Sequence, residues 1–422
     1  MPTKSTTTGI TRRTLLLAGA GAAATAALPR SLKAQNVRAH IDVLVIGAGV
    51  FGAWTAMKLR EAGKSVMLVD AWSPAHARAS SGGESRMTRS AYGADEVYTR
   101  MAADSLGEWR ALSSRAGLPI FHETGVLFFF PDRQPYLEDS LRVHRQLGVP
   151  IDLLSGAALR RAAPAIAFND GDIGLYEPRF GALMARRAVQ TLVAEFDRAG
   201  GMYRQAAVRA PGSGRAALRE VVTTSGETIA ADSFVFACGP WLGRLFPALL
   251  GRRIFPTRQE VFFFAPEAGD ESCAPGNLPG WADFNGGDIY YGFPDLEGRG
   301  FKIAHDAHGP PMDPDTGDRV FTPSMLADVR AFMARRFPRL ANRPLSESRV
   351  CQYENSSNGD FLIDRHPQWE NVVLVGGGSG HGFKHGPAVG RYAAELALGR
   401  LTAPEPRFSL ATKAEVEARA VH

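Results

Sequence analysis

Short unbroken apolar runs alternate along the chain with longer stretches in which apolar residues recur every three to four positions. The first run, residues 41–46 (IDVLVI), is bounded by a polar histidine and a glycine. Such a run predicts a strand buried on both faces. The stretch after Gly52, AWTAMKLREAG, predicts a helix stopped by Gly63. Residues 65–69 predict a second strand, closed by Asp70. Residues 182–198 space Leu183, Ala188, Leu192 and Phe196 as one face of an amphipathic helix. Residues 202–208, 220–223, 234–237, 255–264 and 289–303 read as strands, with turns inside the longer ones. Residues 321–337 read as a basic amphipathic helix with a solvated outer face, and residues 371–375 as a buried strand. The alternation predicts an α/β fold.

The opening strand, helix and strand frame Gly47-Ala48-Gly49-Val50-Phe51-Gly52. This is a dinucleotide-binding fingerprint in the context it requires. Gly47 permits a tight turn, Gly49 lets backbone approach a pyrophosphate, and Gly52 lets helix and strand pack closely. Val50 and Phe51 open the helix, whose N-terminal amides and dipole favour phosphate. Asp70 stands 18 residues after Gly52, where an acid accepts from ribose hydroxyls. The motif alone does not distinguish FAD from NAD.

Composition changes little in this picture. Hydrophobic residues are 45% and charged residues 22% of 422, an ordinary globular balance that excludes disorder and coiled coil. The net charge of +5 suggests a nucleic-acid partner until its location is read. Lys4, Arg12, Arg13, Arg30 and Lys33 lie in the first 34 residues, which hold no acid, so the rest of the chain is neutral. That excludes nucleic-acid binding as the meaning of the charge. Residues 1–34 read instead as a twin-arginine export signal, with Arg12-Arg13 before a weak apolar stretch, residues 15–28. That stretch falls short of the ~20 residues needed to span a bilayer. The mature protein is therefore expected in the periplasm, exported already folded. Three cysteines, Cys238, Cys273 and Cys351, argue against a disulfide framework, and no Cys/His spacing suggests a metal site.

Four stretches carry a family likeness: ASSGGESRMTRSAYG from Ala79, YYGFPDLEGRGFKIAHDAHG from Tyr290, CQYENSSNGDFLIDRHP from Cys351 and VGGGSGHGFKHGPAVG from Val375. The chain resembles the D-amino-acid-oxidase-like superfamily of FAD enzymes, and within it the monomeric sarcosine oxidase and N-methyltryptophan oxidase group. The resemblance implies a Rossmann-like FAD-binding domain (37–120, 175–250 and 346–403) interleaved with a mixed-sheet substrate domain (121–174 and 251–345) and followed by a tail (404–422). It also implies a monomer. On the cofactor side it places Ser81, Arg86, Gly377, Gly378, Gly380, Gly382 and Lys384, with Cys351 bonded to the flavin through its sulfur. It gives Arg89 and Lys384 the substrate carboxylate, which a guanidinium fork and an ammonium suit. Lys302 would activate oxygen through a fixed positive charge. Arg86 lies beside the flavin ring, Tyr291 and Tyr353 line the substrate cavity, and His381 is a further catalytic candidate.

The reaction so implied is oxidation of a secondary amine such as an N-methyl amino acid. Hydride passes to the flavin, the imine hydrolyses, and O₂ restores the flavin with release of hydrogen peroxide. The alternatives are a dehydrogenase that feeds a membrane quinone or cytochrome, an oxidase of cyclic imino or glycated amino acids, and a flavoprotein that only binds a carboxylate. Two departures bear on the substrate. Where sarcosine oxidases carry a histidine four residues after the lysine, this chain has Asp306, with His305 one position earlier. Either that strand is shifted or a carboxylate has replaced the imidazole. Gly82 stands in the run Ser81-Gly82-Gly83-Glu84 near the position of another family histidine, which predicts a more open pocket beside the ring.

Overall fold

The computed structural model describes residues 40–415, apart from Ser213, Arg215 and Asp288. The export segment lies outside the described residues. The first predicted unit forms as β1 (Val43–Ile46), α1 (Val50–Glu61) and β2 (Val66–Asp70). β1 and β2 pair in parallel, Val43 opposite Val66. Every residue of β1 is buried. Val43 and Val45 join the core that contains α1, whereas Leu44 and Ile46 join a second core on the opposite face of the sheet. That two-sided burial is why the run is continuously apolar.

Six strands form this sheet, in the order Leu362–Arg365, Val372–Gly376, Ser233–Phe236, β1, β2, Met202–Gln205. All its pairings are parallel except that of the Leu362–Arg365 edge. The helix Gly386–Ala397 packs on α1 at close range. A Cβ on Gly386 or Gly390 would lie 2.6 Å from atoms of Trp54.

A second sheet of eight strands runs Leu345–Ser356, Ile254–Phe264, Phe301–Asp306, Ile289–Phe293, Gly280–Asp283, Val126–Phe130, Ile173–Glu177, Asp152–Ser155. It is antiparallel except where Gly280–Asp283 meets Val126–Phe130. Along Phe301–Asp306 the faces alternate. Phe301 and Ile303 enter a core with Trp281 and Phe332, and Ala304 packs on the other side with Phe263 and Tyr291.

Two expectations change. Residues 182–184 are strand, not helix: Gly181–Met184 is the middle of three strands, between β3 (Ser85–Thr88) and Phe121–His122, and the helix starts at Ala185. Pairing on both edges buries Ala182, Leu183 and Met184, and overrides the helical spacing. The helix Pro323–Arg336 is not simply a solvated face. It buries Val329, Phe332 and Met333, and also Arg336, which is paired with Asp172 at 3.0 Å and Asp283 at 2.8 Å. The described part of the tail packs on the body, where Arg407 bonds Asp95 at 2.6 Å and Leu410 N donates to Asp364. No helix among the described residues is long and apolar enough to cross a membrane.

Candidate functional site

A cavity of about 430 Å³ opens at the carboxyl ends of β1 and β2, where doubly wound sheets bind ligands. Gly47 turns the chain out of β1 with φ of +107°, and a Cβ there would lie 2.3 Å from the Ala237 carbonyl oxygen. A Cβ on Gly52 would lie 1.9 Å from Gly47 O, so α1 could not enter so steeply with any larger residue. Gly49 and Gly378 differ. Added Cβ atoms would meet nothing nearer than 3.5 and 3.8 Å, and both residues line the cavity. Bare backbone there leaves room for a bound group rather than for packing.

Ser81 Oγ caps α1 by accepting from Val50 N at 3.0 Å. Asp70 accepts Ala48 N at 2.7 Å on one oxygen and Trp72 N at 2.9 Å on the other, while facing the cavity. Burial pushes its carboxyl up, and those two amides partly offset the effect. Each oxygen keeps a second lone pair for a hydroxyl. Val50, Phe51, Gly380 and Gly382 also line this cavity, whereas Gly377 does not. The set fits a dinucleotide, with an acid for ribose, a glycine turn and helix N-terminus for phosphate, and a glycine-rich loop opposite.

A smaller cavity of about 90 Å³ adjoins the first and shares Arg86, Tyr353, Gly380 and Phe383 with it. Arg89, Lys384, Tyr291, His381 and Asp306 line it, with Phe128 and Phe284 among its apolar walls. The sequence-derived residues among these come together from β3 and the residue after it, from three strands of the eight-stranded sheet and from the loop after Val372–Gly376.

Arg89 and Lys384 are both directed at Tyr92, with Arg89 Cζ 4.0 Å and Lys384 Nζ 5.0 Å from its ring centroid. Lys384 Nζ donates to His381 O at 2.8 Å. Burial drives Lys384 well below its ordinary range, and the Arg89 charge adds to this. Arg89 is held above its usual value although burial opposes it, through Tyr92, Tyr136, Glu177 and Asp306. Glu177 is a fully enclosed anion that the sequence did not reveal. Burial alone would raise it, but His144 and two bonds from Ser90, at 2.7 and 2.5 Å, hold it below the carboxylate range.

Lys302 and Cys351 are not among the lining residues of either cavity. Both lie against Arg86, which lines both. Arg86 donates to Cys351 Sγ at 3.1 Å and to Ser80 O at 2.9 Å. Lys302 donates to Ser85 O at 2.9 Å and Ser85 Oγ at 3.1 Å. Burial pushes it down to about 7, with Arg86 adding to the shift. His381 is more occupied than a catalytic base should be, since Nδ1 meets Tyr92 OH at 3.0 Å and Nε2 meets Gly359 O at 3.1 Å.

The two departures resolve. Asp306 lines the smaller cavity, and His305 turns away to Asp328 at 3.0 Å with its ring on Tyr290. The strand is therefore not shifted, and a carboxylate stands in the chamber itself. Gly82 does not open the pocket, because a Cβ there would lie 2.0 Å from His76 O. It serves close packing. Glu354 was also missed. It lines the larger cavity and is buried, and burial pushes its carboxyl up to about 8 beside the Gly377 and Gly378 amides. It lay inside a stretch read only for its cysteine and tyrosine.

A family model described as FAD dependent oxidoreductase (DAO) matches residues 42–396. Monomeric sarcosine oxidase of Bacillus sp. (strain B-0618) is 32% identical over 365 residues, which cover 85% of this chain and 92% of that enzyme. N-methyl-L-tryptophan oxidase of Yersinia pestis (strain Pestoides F) is 31% identical over 379 residues, covering 88% and 98%. Among solved structures, L-proline dehydrogenase from P. horikoshii shares the fold with a TM-score of 0.77 at 21% identity, covering 88% of this chain and 97% of that one.

Proposed function

The chain belongs to the DAO family of FAD-dependent oxidoreductases, and on that premise we propose that it oxidises a secondary amine bearing a carboxylate, namely a small N-methyl amino acid. The carrying observation is the pair of adjoining cavities, the smaller holding Arg89 and Lys384. A half-buried arginine and a buried lysine facing one small chamber suit an anionic ligand. Bound FAD supplies the two-electron acceptor for the amine carbon. Arg89 and Lys384 bind the carboxylate and so fix which carbon faces the shared wall. Tyr291 and Tyr353 flank the amine, and Phe128 and Phe284 exclude water. His381 positions Lys384 through its carbonyl rather than moving a proton.

Cys351 is the proposed covalent anchor for the FAD, because the thiolate is the reactive form of a cysteine and Arg86 sets a cation against its sulfur. Lys302, buried beside Arg86, is the proposed group that favours O₂ as electron acceptor over a quinone. Residues 1–34 are proposed to direct export, and the enzyme is proposed to work as a monomer. Both the sarcosine oxidase and N-methyl-L-tryptophan oxidase names support this substrate class. The test is anaerobic bleaching of the flavin band with N-methyl amino acids, cyclic imino acids and glycated amino acids, followed by peroxide yield in air. Bleaching by an N-methyl amino acid with stoichiometric peroxide is expected. Bleaching only by another class, or bleaching without peroxide, would redirect the assignment.

A further inference from the structure

Glu354 has no part in the substrate chemistry, yet it is buried to 6% exposure and lines the larger cavity. Its Oε1 has no hydrogen-bond partner. The Gly377 and Gly378 amides act on the carboxyl, but a buried oxygen with no donor of its own is still costly, so a site that keeps one normally completes it with a ligand or water. Its place in the fold indicates which part of the ligand that is. A Cβ on Gly376 would lie 2.3 Å from Oε1, and one on Gly239 would lie 3.8 Å from Oε2. Gly376 ends one parallel strand and Gly239 follows the next, the strand that neighbours β1. Glu354 therefore stands at the strand ends beside the Gly47 turn, on the side away from Asp70 and β2. It also follows Tyr353, which lines the wall shared with the substrate chamber.

Between the phosphate turn and the ring end of FAD lies its polyol chain. Hydroxyls are the hydrogen-bond donors that FAD offers there, whereas its phosphate oxygens offer none. We propose that Glu354 is a cofactor-binding residue whose carboxyl oxygen accepts a hydrogen bond from a hydroxyl of the polyol chain of FAD. The contact rests on the cofactor assignment and extends it to a residue that the fingerprint does not contain. Burial raises the carboxyl, and the Gly377 and Gly378 amides offset only part of that.

The test measures affinity rather than turnover. Cys351→Ser protein prepared without flavin is titrated with FAD and with three FAD analogues, each lacking one polyol hydroxyl, and quenching of flavin fluorescence is followed. Glu354→Ala and Glu354→Gln are made in the same background, and circular dichroism of the apoprotein checks their folding. Loss of a buried hydrogen bond to the carboxyl predicts that Glu354→Ala weakens FAD binding by up to about tenfold. One analogue should bind the parent about tenfold more weakly than FAD does, with no further loss in Glu354→Ala. Glu354→Gln should show the same non-additivity at smaller size, and it carries the test if the alanine variant does not fold. Unchanged FAD affinity in the folded variants, or losses that simply add for all three analogues, overturns the contact. A parent that takes up no FAD overturns it together with the cofactor assignment.

Discussion

The Arg86 guanidinium donates to the Cys351 sulfur at 3.1 Å, across 265 residues of chain. One partner comes from β3 and the other from the edge strand of the eight-stranded sheet. A cysteine placed against a fixed cation is set up for nucleophilic chemistry. Acid precipitation should therefore leave the yellow colour in the protein pellet, and Cys351→Ser should release it to the supernatant. Arg86→Met should slow colour retention when apoprotein is mixed with FAD. A wild-type pellet that is colourless removes the covalent anchor.

Lys384 is buried in the smaller cavity that Arg89 also lines, and its proposed partner is the substrate carboxylate. Lys384→Met should lower kcat/KM for an N-methyl amino acid by about ten- to a hundredfold, chiefly through KM, as expected when one charged hydrogen bond is lost. Steady-state kinetics with and without the substrate carboxylate give the check. An unchanged KM would remove Lys384 from substrate binding.

Asp306 works in the opposite sense. Its carboxylate faces the same chamber and acts on Arg89. Asp306→Asn should therefore lower KM for anionic amines and leave neutral amines little changed. A higher KM for the anionic substrate would show that Asp306 instead holds Arg89 in position.

Lys302 gives the apoprotein a pH signature. Its folded value lies near 7, against ~10.4 in an unfolded chain. Between those limits the unfolded chain binds the extra proton, so stability rises with pH across that window and is lowest below it. Urea unfolding of FAD-free protein should show that rise, and Lys302→Met should flatten it. The same variant should lower the peroxide yield in air. A pH profile identical to the parent's would place the charge elsewhere.

Two glycines should respond in opposite ways to the same change. Gly52→Ala drives a methyl to within 1.9 Å of a carbonyl oxygen in the rigid turn, and should cost ~1–3 kcal/mol together with FAD affinity. Gly107, in the helix Glu96–Arg115, has nothing within 4 Å of the added atom. Gly107→Ala should stabilise by ~0.5–1 kcal/mol. Thermal melts of both variants decide the matter.

The first βαβ unit was legible because burial on both faces and the glycine spacing leave their mark locally. Residues 182–184 misled because sheet partners 60 residues or more upstream, at Phe121–His122 and Ser85–Thr88, set their conformation. Arg89, Lys384 and Cys351 were singled out by likeness to family motifs, and the fold brings Arg89 and Lys384 to one chamber and Cys351 to Arg86. Glu177 and Glu354 were not singled out, because an acid in a strand is normally solvated and only tertiary packing encloses it. The Asp306 question could be posed from sequence, but it needed the strand's facing direction for an answer.

The strand Phe301–Asp306 separates two kinds of evolutionary freedom. Phe301, Ile303 and His305 point to one side of the sheet, while Lys302, Ala304 and Asp306 point to the other, where Asp306 lines the smaller cavity. Of the even-numbered positions, Asp306 lines the chamber and is half-buried, whereas Lys302 and Ala304 are buried. Changes at the odd-numbered positions put the fold at risk and leave specificity alone. Substrate range can therefore be searched at residue 306 at little cost in folding, and a lineage of such enzymes can diversify at that one position.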